Sequence, residues 1–185
     1  TGTQVLDWTV PKEWNIRDAW VKNSAGEKVI DFSNHNLHIM GYSTPVHETL
    51  SLSALKEHCY TLPEHLDWIP FRNSFYAEQW GFCLTQNQLD ALPDGDYEVY
   101  IDSDLMPGVL NYGECVLQGE TSEEFIISAH CCHPSLANDN LSGIAVAIEL
   151  AKQLQKMERR YTYRFIFAPG TVGAITWLAQ HREIT

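Results

Sequence analysis

The spacing of apolar positions changes character about two thirds of the way along the chain. From residue 123 it reads as strand, helix, strand, helix. "EFIISA" is a short Ile-rich run bounded by charge, which predicts a strand buried on both faces. Leu141, Ile144, Ile148, Ala151 and Leu154 follow at steps of three and four, predicting a helix from about Asn140 to near Lys156. "YTYRFIFAP" predicts a second strand and "TVGAITWLAQH" a second helix. Short links in that order imply a parallel sheet with right-handed crossovers.

Residues 1–115 read instead as strands and turns with little helix. In "IRDAWVKNSAGEKVIDF", polar Asn23, Ser24 and Gly26 lie between apolar stretches and predict a hairpin. "LHIMGYS" is a further strand candidate. "SLSALKEHCYTL" predicts a short helix capped by Ser51 or Ser53, and "GFCLTQNQLDAL" a strand followed by a helix capped at Thr85. "GDYEVYIDSDLMPGVLNYGECVLQG" alternates apolar and polar residues on both sides of "LMPG", which predicts a second hairpin. The pattern therefore divides the chain into a β-rich region, 1–115, and the start of an α/β core, 116–185.

Composition narrows the partners. The chain has 185 residues, 44% of them hydrophobic, and a net charge of -12. That charge repels phosphate backbones and anionic lipid, so nucleic acid and membrane are not expected partners. No apolar run approaches the length of a membrane span. The five cysteines, Cys59, Cys83, Cys115, Cys131 and Cys132, form an odd set without CxxC. They read as reduced thiols in a cytoplasmic protein. The chain starts at Thr1 without methionine and stops soon after a helical pattern begins, so it reads as a fragment of a longer protein.

The candidate chemistry lies in "SAHCCHPSLANDNLSG". His130 and His133 offer imidazole nitrogens and Asp139 a carboxylate, the ligand types zinc takes, between a strand end and a helix start. The competing reading has a histidine bonded to a carbonyl and Asp139 capping the helix, with no metal. An aromatic cluster, Trp68, Phe71, Phe75, Tyr76, Trp80 and Phe82, has two readings as well. Trp68, Tyr76 and Trp80 line a substrate pocket, or the rings pack a core; packing is favoured, because buried aromatics dominate core energetics.

"NDNLSG" ahead of an apolar helix, about ten residues after a strand ending in Ser-Ala-His, resembles the co-catalytic zinc aminopeptidases. "LDWTVPKEWNI", "SAHCCHPSLANDNLSG" and "RYTYRFIFAPGTVGAITWL" together resemble a bacterial aminopeptidase-like family of unknown function associated with polysaccharide biosynthesis. The resemblance implies a fragment of a zinc-aminopeptidase-like parallel-sheet core, preceded by a β-rich subdomain inserted into it. It implies one or two zinc ions, with Asp139 as the carboxylate shared between metals and His130 as a terminal ligand. His133 then either takes over that ligand role or hydrogen-bonds a ligand.

One departure matters for chemistry. The peptidases end the second strand in two glutamates, a general base and a metal ligand; aligned here, those positions are Gly170 and Thr171. Glycine accepts no proton, and a neutral hydroxyl is a poor zinc ligand. Two functions therefore stand. One is a zinc-dependent hydrolase of peptide or amide bonds acting on a small or peptide-like substrate. The other is an altered, non-catalytic relative that binds a small ligand or a partner.

Overall fold

A computed structural model of the chain describes residues 1–132 and 136–183. In chain order the strands are β1 (Gln4–Val5), β2 (Trp8–Thr9), β3 (Glu13–Asn23), β4 (Lys28–Asp31), β5 (Val46–Ser51), β6 (Cys59–Tyr60), β7 (Phe82–Cys83), β8 (Asp96–Met106), β9 (Gly113–Leu117), β10 (Glu124–His130) and β11 (Thr162–Ala168). The helices are α1 (Leu52–Lys56), α2 (Gln86–Asp90), α3 (Asn138–Leu154) and α4 (Val172–Gln180). The result is a mixed α/β fold with several small sheets. No helix among the described residues is long and apolar enough to cross a membrane.

The polypeptide forms two compact units: Pro11–Pro107, and Thr1–Val10 with Gly108–Thr185. The boundary expected between residues 115 and 116 falls inside β9, which pairs with β11. In Pro11–Pro107, alternation places Ala19, Val21, Ile30, Tyr97, Val99 and Ile101 on one face of the antiparallel sheet β4-β3-β8-β5. Leu52, Leu55, Phe82 and Leu84 pack against them. The expected β3–β4 hairpin is present. Asn23 Oδ1 accepts from the amides of Ala25 and Glu27 at 3.0 Å each, and Gly26 supplies a φ of 80° that a side chain would resist. Ser51 caps α1, and Thr85 caps α2 in a reciprocal box with Gln88.

Two expectations fail in this region. "LHIMGYS" is not a strand: Asn36–His38 is a 3₁₀ turn, and Ile39 and Gly41 make only isolated bridges. The hairpin expected around "LMPG" does not form either. β8 pairs with β3 and β5, whereas β9 pairs with β11. Period-two alternation marks both strands correctly but sets only which face each side chain takes. It does not choose the neighbour, and Pro107 lacks the amide that would continue a ladder.

In the other unit, β10 and β11 pair in parallel from Glu124↔Thr162 to His130↔Ala168, and β9 runs antiparallel on the far side of β11. The expected parallel pair is thus present within a mixed sheet. Alternation sends Ala129, Phe165 and Leu117 to the face covered by Ala147 of α3, and Ile166 and Ala168 to the face covered by Trp177 of α4. On that second face Arg164 holds the strands together, pairing with Glu114 and donating to Glu124 at 2.7 and 2.9 Å. The prediction that "EFIISA" is buried on both faces is corrected. Among the described residues β10 pairs with β11 on one side only, and Phe125 is 51% exposed.

Candidate metal site at the strand ends

The parallel register sets His130 beside Ala168, so the last residues of β10 and β11 and the first turn of α3 share one end of the sheet. There His130 Nε2 lies 3.3 Å from Asp139 Oδ1. The Asp139 side chain is 87% exposed, so water competes for the contact and it adds little stability. Two donors bound to one zinc at roughly 2.0–2.2 Å and a tetrahedral angle would stand about 3.4 Å apart, so the separation also fits a shared ion. The capping alternative stays compatible with the helix start, since a residue that caps a helix has non-helical backbone angles and regular helix begins only past Asn140. Asp139 (φ -92°, ψ 101°) and Asn140 (φ -129°, ψ 35°) form a kink ahead of the regular turns of α3. No group of three His, Cys, Asp or Glu donors converges among the described residues. His133, the other histidine expected as a ligand, lies outside the described residues.

The Ser-Gly pair of "NDNLSG" has a packing reason. Ser142 donates to Asn138 O at 2.8 Å. A Cβ on Gly143 would come 2.2 Å from Asn140 Oδ1, so only glycine leaves room for that amide, which reaches His130 O at 3.5 Å.

Gly170 sits against the histidine strand. Its amide donates to Cys132 Sγ at 2.8 Å, and an added Cβ would lie 2.9 Å from that sulfur and 3.6 Å from His130 Cβ. Thr171 follows at φ 54°, ψ -67°, and Val172 N closes a tight turn on Gly170 O at 2.6 Å. A threonine in this region is strained backbone of the kind found at functional sites. The pattern of residues did not single out Cys132 as a neighbour of Gly170. The cue was the equal distance of both from paired strand ends, two residues past His130 and Ala168.

The aromatic candidates separate. Trp80 stacks on His58 with ring centroids 3.7 Å apart and packs against the core of Pro11–Pro107. Trp68 and Tyr76 are exposed; Trp68 stacks on His65 at 4.0 Å and Tyr76 meets Phe75 edge-on. The remaining histidines of this region are bonded locally, as His38 Nδ1 is to Cys83 O at 2.8 Å and His47 to Glu98 at 2.9 Å.

The chain is 55% identical over 183 residues to a Clostridium acetobutylicum protein described as a "Putative polysaccharide biosynthesis protein with aminopeptidase-like domain"; the match covers 99% of this chain and 42% of that one. The crystal structure of a "putative peptidase" from the same organism matches with a TM-score of 0.86 and 55% identity, over 100% of this chain and 44% of that one. The chain therefore spans less than half the length of these relatives. Residues 1–185 match throughout the family described as Domain of unknown function (DUF4910), and the chain belongs to that family.

Proposed function

We propose that this chain carries a portion of the metal site of an aminopeptidase-like, zinc-dependent hydrolase of peptide or amide bonds. The relatives' names support a peptidase-like role connected with polysaccharide biosynthesis. The observation that carries the metal reading is the 3.3 Å approach of His130 Nε2 to Asp139 Oδ1 at the sheet end. Zinc bound there would polarise an amide carbonyl or lower the pKa of water. His130 and Asp139 would hold the ion, and His133 is the further candidate ligand from the same loop. The five unpaired thiols support a reducing, cytoplasmic setting.

Gly170 favours the second reading, an altered, non-catalytic relative that binds a small ligand or a partner. Its bare backbone lies against Cys132, where the peptidases place a base. Loss of a general base costs on the order of 10²–10⁴ in rate, so residues 1–185 alone should show little peptidase turnover. The test is release of nitroaniline from aminoacyl anilides by the full-length protein, with and without a chelator. The hydrolase reading expects chelator-sensitive release that is lost in Asp139→Asn. Zinc binding without release would transfer the assignment to the ligand-binding reading.

A further inference from the structure

Tyr42 holds a φ of 66°, in the left-handed region that a bulky side chain resists. Buried serines lock the backbone there. Ser43 Oγ donates to Met40 O at 2.6 Å and accepts from the Gly81 amide at 3.2 Å, while Ser74 Oγ donates to Tyr42 O at 3.2 Å. Ser43 O in turn accepts from Trp14 Nε1 at 2.9 Å and from Ser103 Oγ at 2.8 Å. Strain held in this way by its surroundings gathers at binding and catalytic sites. Here it brings the Tyr42 ring beside Trp14 and Phe75. Trp14 and Tyr42 lie 17° from parallel with ring centroids 6.0 Å apart, and Phe75 stands at 74° to Tyr42 at 4.6 Å. At a carbon contact distance of about 3.5 Å, parallel rings so far apart are displaced sideways by about 5 Å, overlap only at their edges and leave open face on each. All three side chains are half-buried.

We propose that Trp14, Tyr42 and Phe75 form a binding site for an organic cation, an alkylated ammonium group, with the Glu13 carboxylate as its counter-charge. An aromatic face attracts a cation that comes within about 6 Å of the ring centre. Elsewhere the chain fills such places itself: Lys22 stands 4.0 Å over Trp20, Arg72 4.7 Å over Tyr60 and Arg160 5.3 Å over Tyr161. Among the described residues no lysine or arginine stands over Trp14, Tyr42 or Phe75. The surrounding charge also selects a cation. Pro11–Pro107 carries 6 Lys and Arg against 15 Asp and Glu, a net charge of -9. Glu13 is near enough to act on the ring: burial first, and the Glu13 charge second, push the Tyr42 phenol up. A bare ammonium is strongly hydrated and needs oxygen acceptors in place of water, whereas an alkylated one presents methyl groups to the ring faces. All four residues lie within Pro11–Pro107, so the inference does not depend on the metal reading.

The test titrates choline into the full-length protein by ligand-observed NMR, with its uncharged isostere 3,3-dimethylbutan-1-ol run beside it. The titrations are repeated on Glu13→Gln and on Tyr42→Asn, which removes the ring while suiting the left-handed backbone. Phe75→Leu serves if circular dichroism shows that Tyr42→Asn does not fold. Choline should bind more tightly than the alcohol, and each variant should weaken choline by about 2–30-fold. Trp20→Phe, in a cluster that already carries Lys22, should leave the choline affinity unchanged. No binding of choline, equal affinity for the two probes, unchanged choline affinity in Tyr42→Asn or Glu13→Gln, or an equal loss in Trp20→Phe would overturn the inference.

Discussion

Arg164→Met removes the charge that joins the strands carrying the candidate site while keeping most of the side-chain volume. The Arg164, Glu124 and Glu114 side chains are 15%, 11% and 26% exposed, and the guanidinium also sits 5.9 Å from the Trp177 ring. Removing one partner of a buried pair costs about 3–5 kcal/mol because it strands the other charge; partial access to water here reduces that to about 2–3 kcal/mol at pH 7. Arg164 holds the Glu124 carboxyl below its ordinary value, chiefly through their hydrogen bond, which outweighs the opposing effect of burial. A depressed carboxyl contributes stability that is present above its unfolded pKa and lost as pH falls through the folded one. The gap between wild type and Arg164→Met should therefore narrow below about pH 4.3. Hydrogen exchange of the Thr162–Ala168 amides, corrected for intrinsic rates, reads the opening free energy of β11 without requiring the two units to unfold together. A loss under about 0.5 kcal/mol at pH 7, no more than an ordinary surface substitution, or an equal loss at pH 7 and pH 3, would refute the reasoning.

Thr85→Ala removes the hydroxyl half of the α2 capping box and should cost about 1 kcal/mol, read as a lower denaturation midpoint for Pro11–Pro107. Gly119→Ala would bring a Cβ to 2.3 Å from the Tyr161 carbonyl carbon and oxygen, which are backbone and cannot rotate away. It should cost about 1–3 kcal/mol or more in thermal stability, whereas an ordinary exposed loop glycine would tolerate the change. Burial pushes the Cys59 thiol up to about 12 and the Cys83 thiol up to about 11, while Cys131 and Cys132 are exposed. Iodoacetamide at pH 8 should therefore modify Cys131 and Cys132 first, as read by peptide mass mapping; equal rates at Cys83 would contradict the burial.

Much of the local structure was legible because local chemistry decides it. Thr85 and Asn23 act on amides two to four residues away, so their roles follow from spacing. The 3.6-residue rhythm located the body of α3, since its core-facing side packs on the sheet. Partner choice was not legible: β8 and β9 look like the arms of a hairpin until their actual neighbours are known. Burial of β10 was overstated because Ile content cannot reveal whether a strand has one neighbour or two. At the site, the approach of His130 to Asp139 was expected from a strand end facing a helix start. The Cys132–Gly170 contact depends on register between strands more than thirty residues apart, which no pattern of side chains encodes.

The most direct test of the metal reading is calorimetric titration of zinc into chelator-stripped full-length protein, run on wild type, His130→Ala and Asp139→Ala. Outer-shell partners of metal ligands carry roughly 10–100-fold in affinity, so loss of a true ligand should weaken binding by at least that factor in each variant. Folding is verified for each by circular dichroism. The same zinc affinity in all three proteins, or no zinc bound by wild type, would contradict the account and leave His130 and Asp139 as a surface contact without a metal.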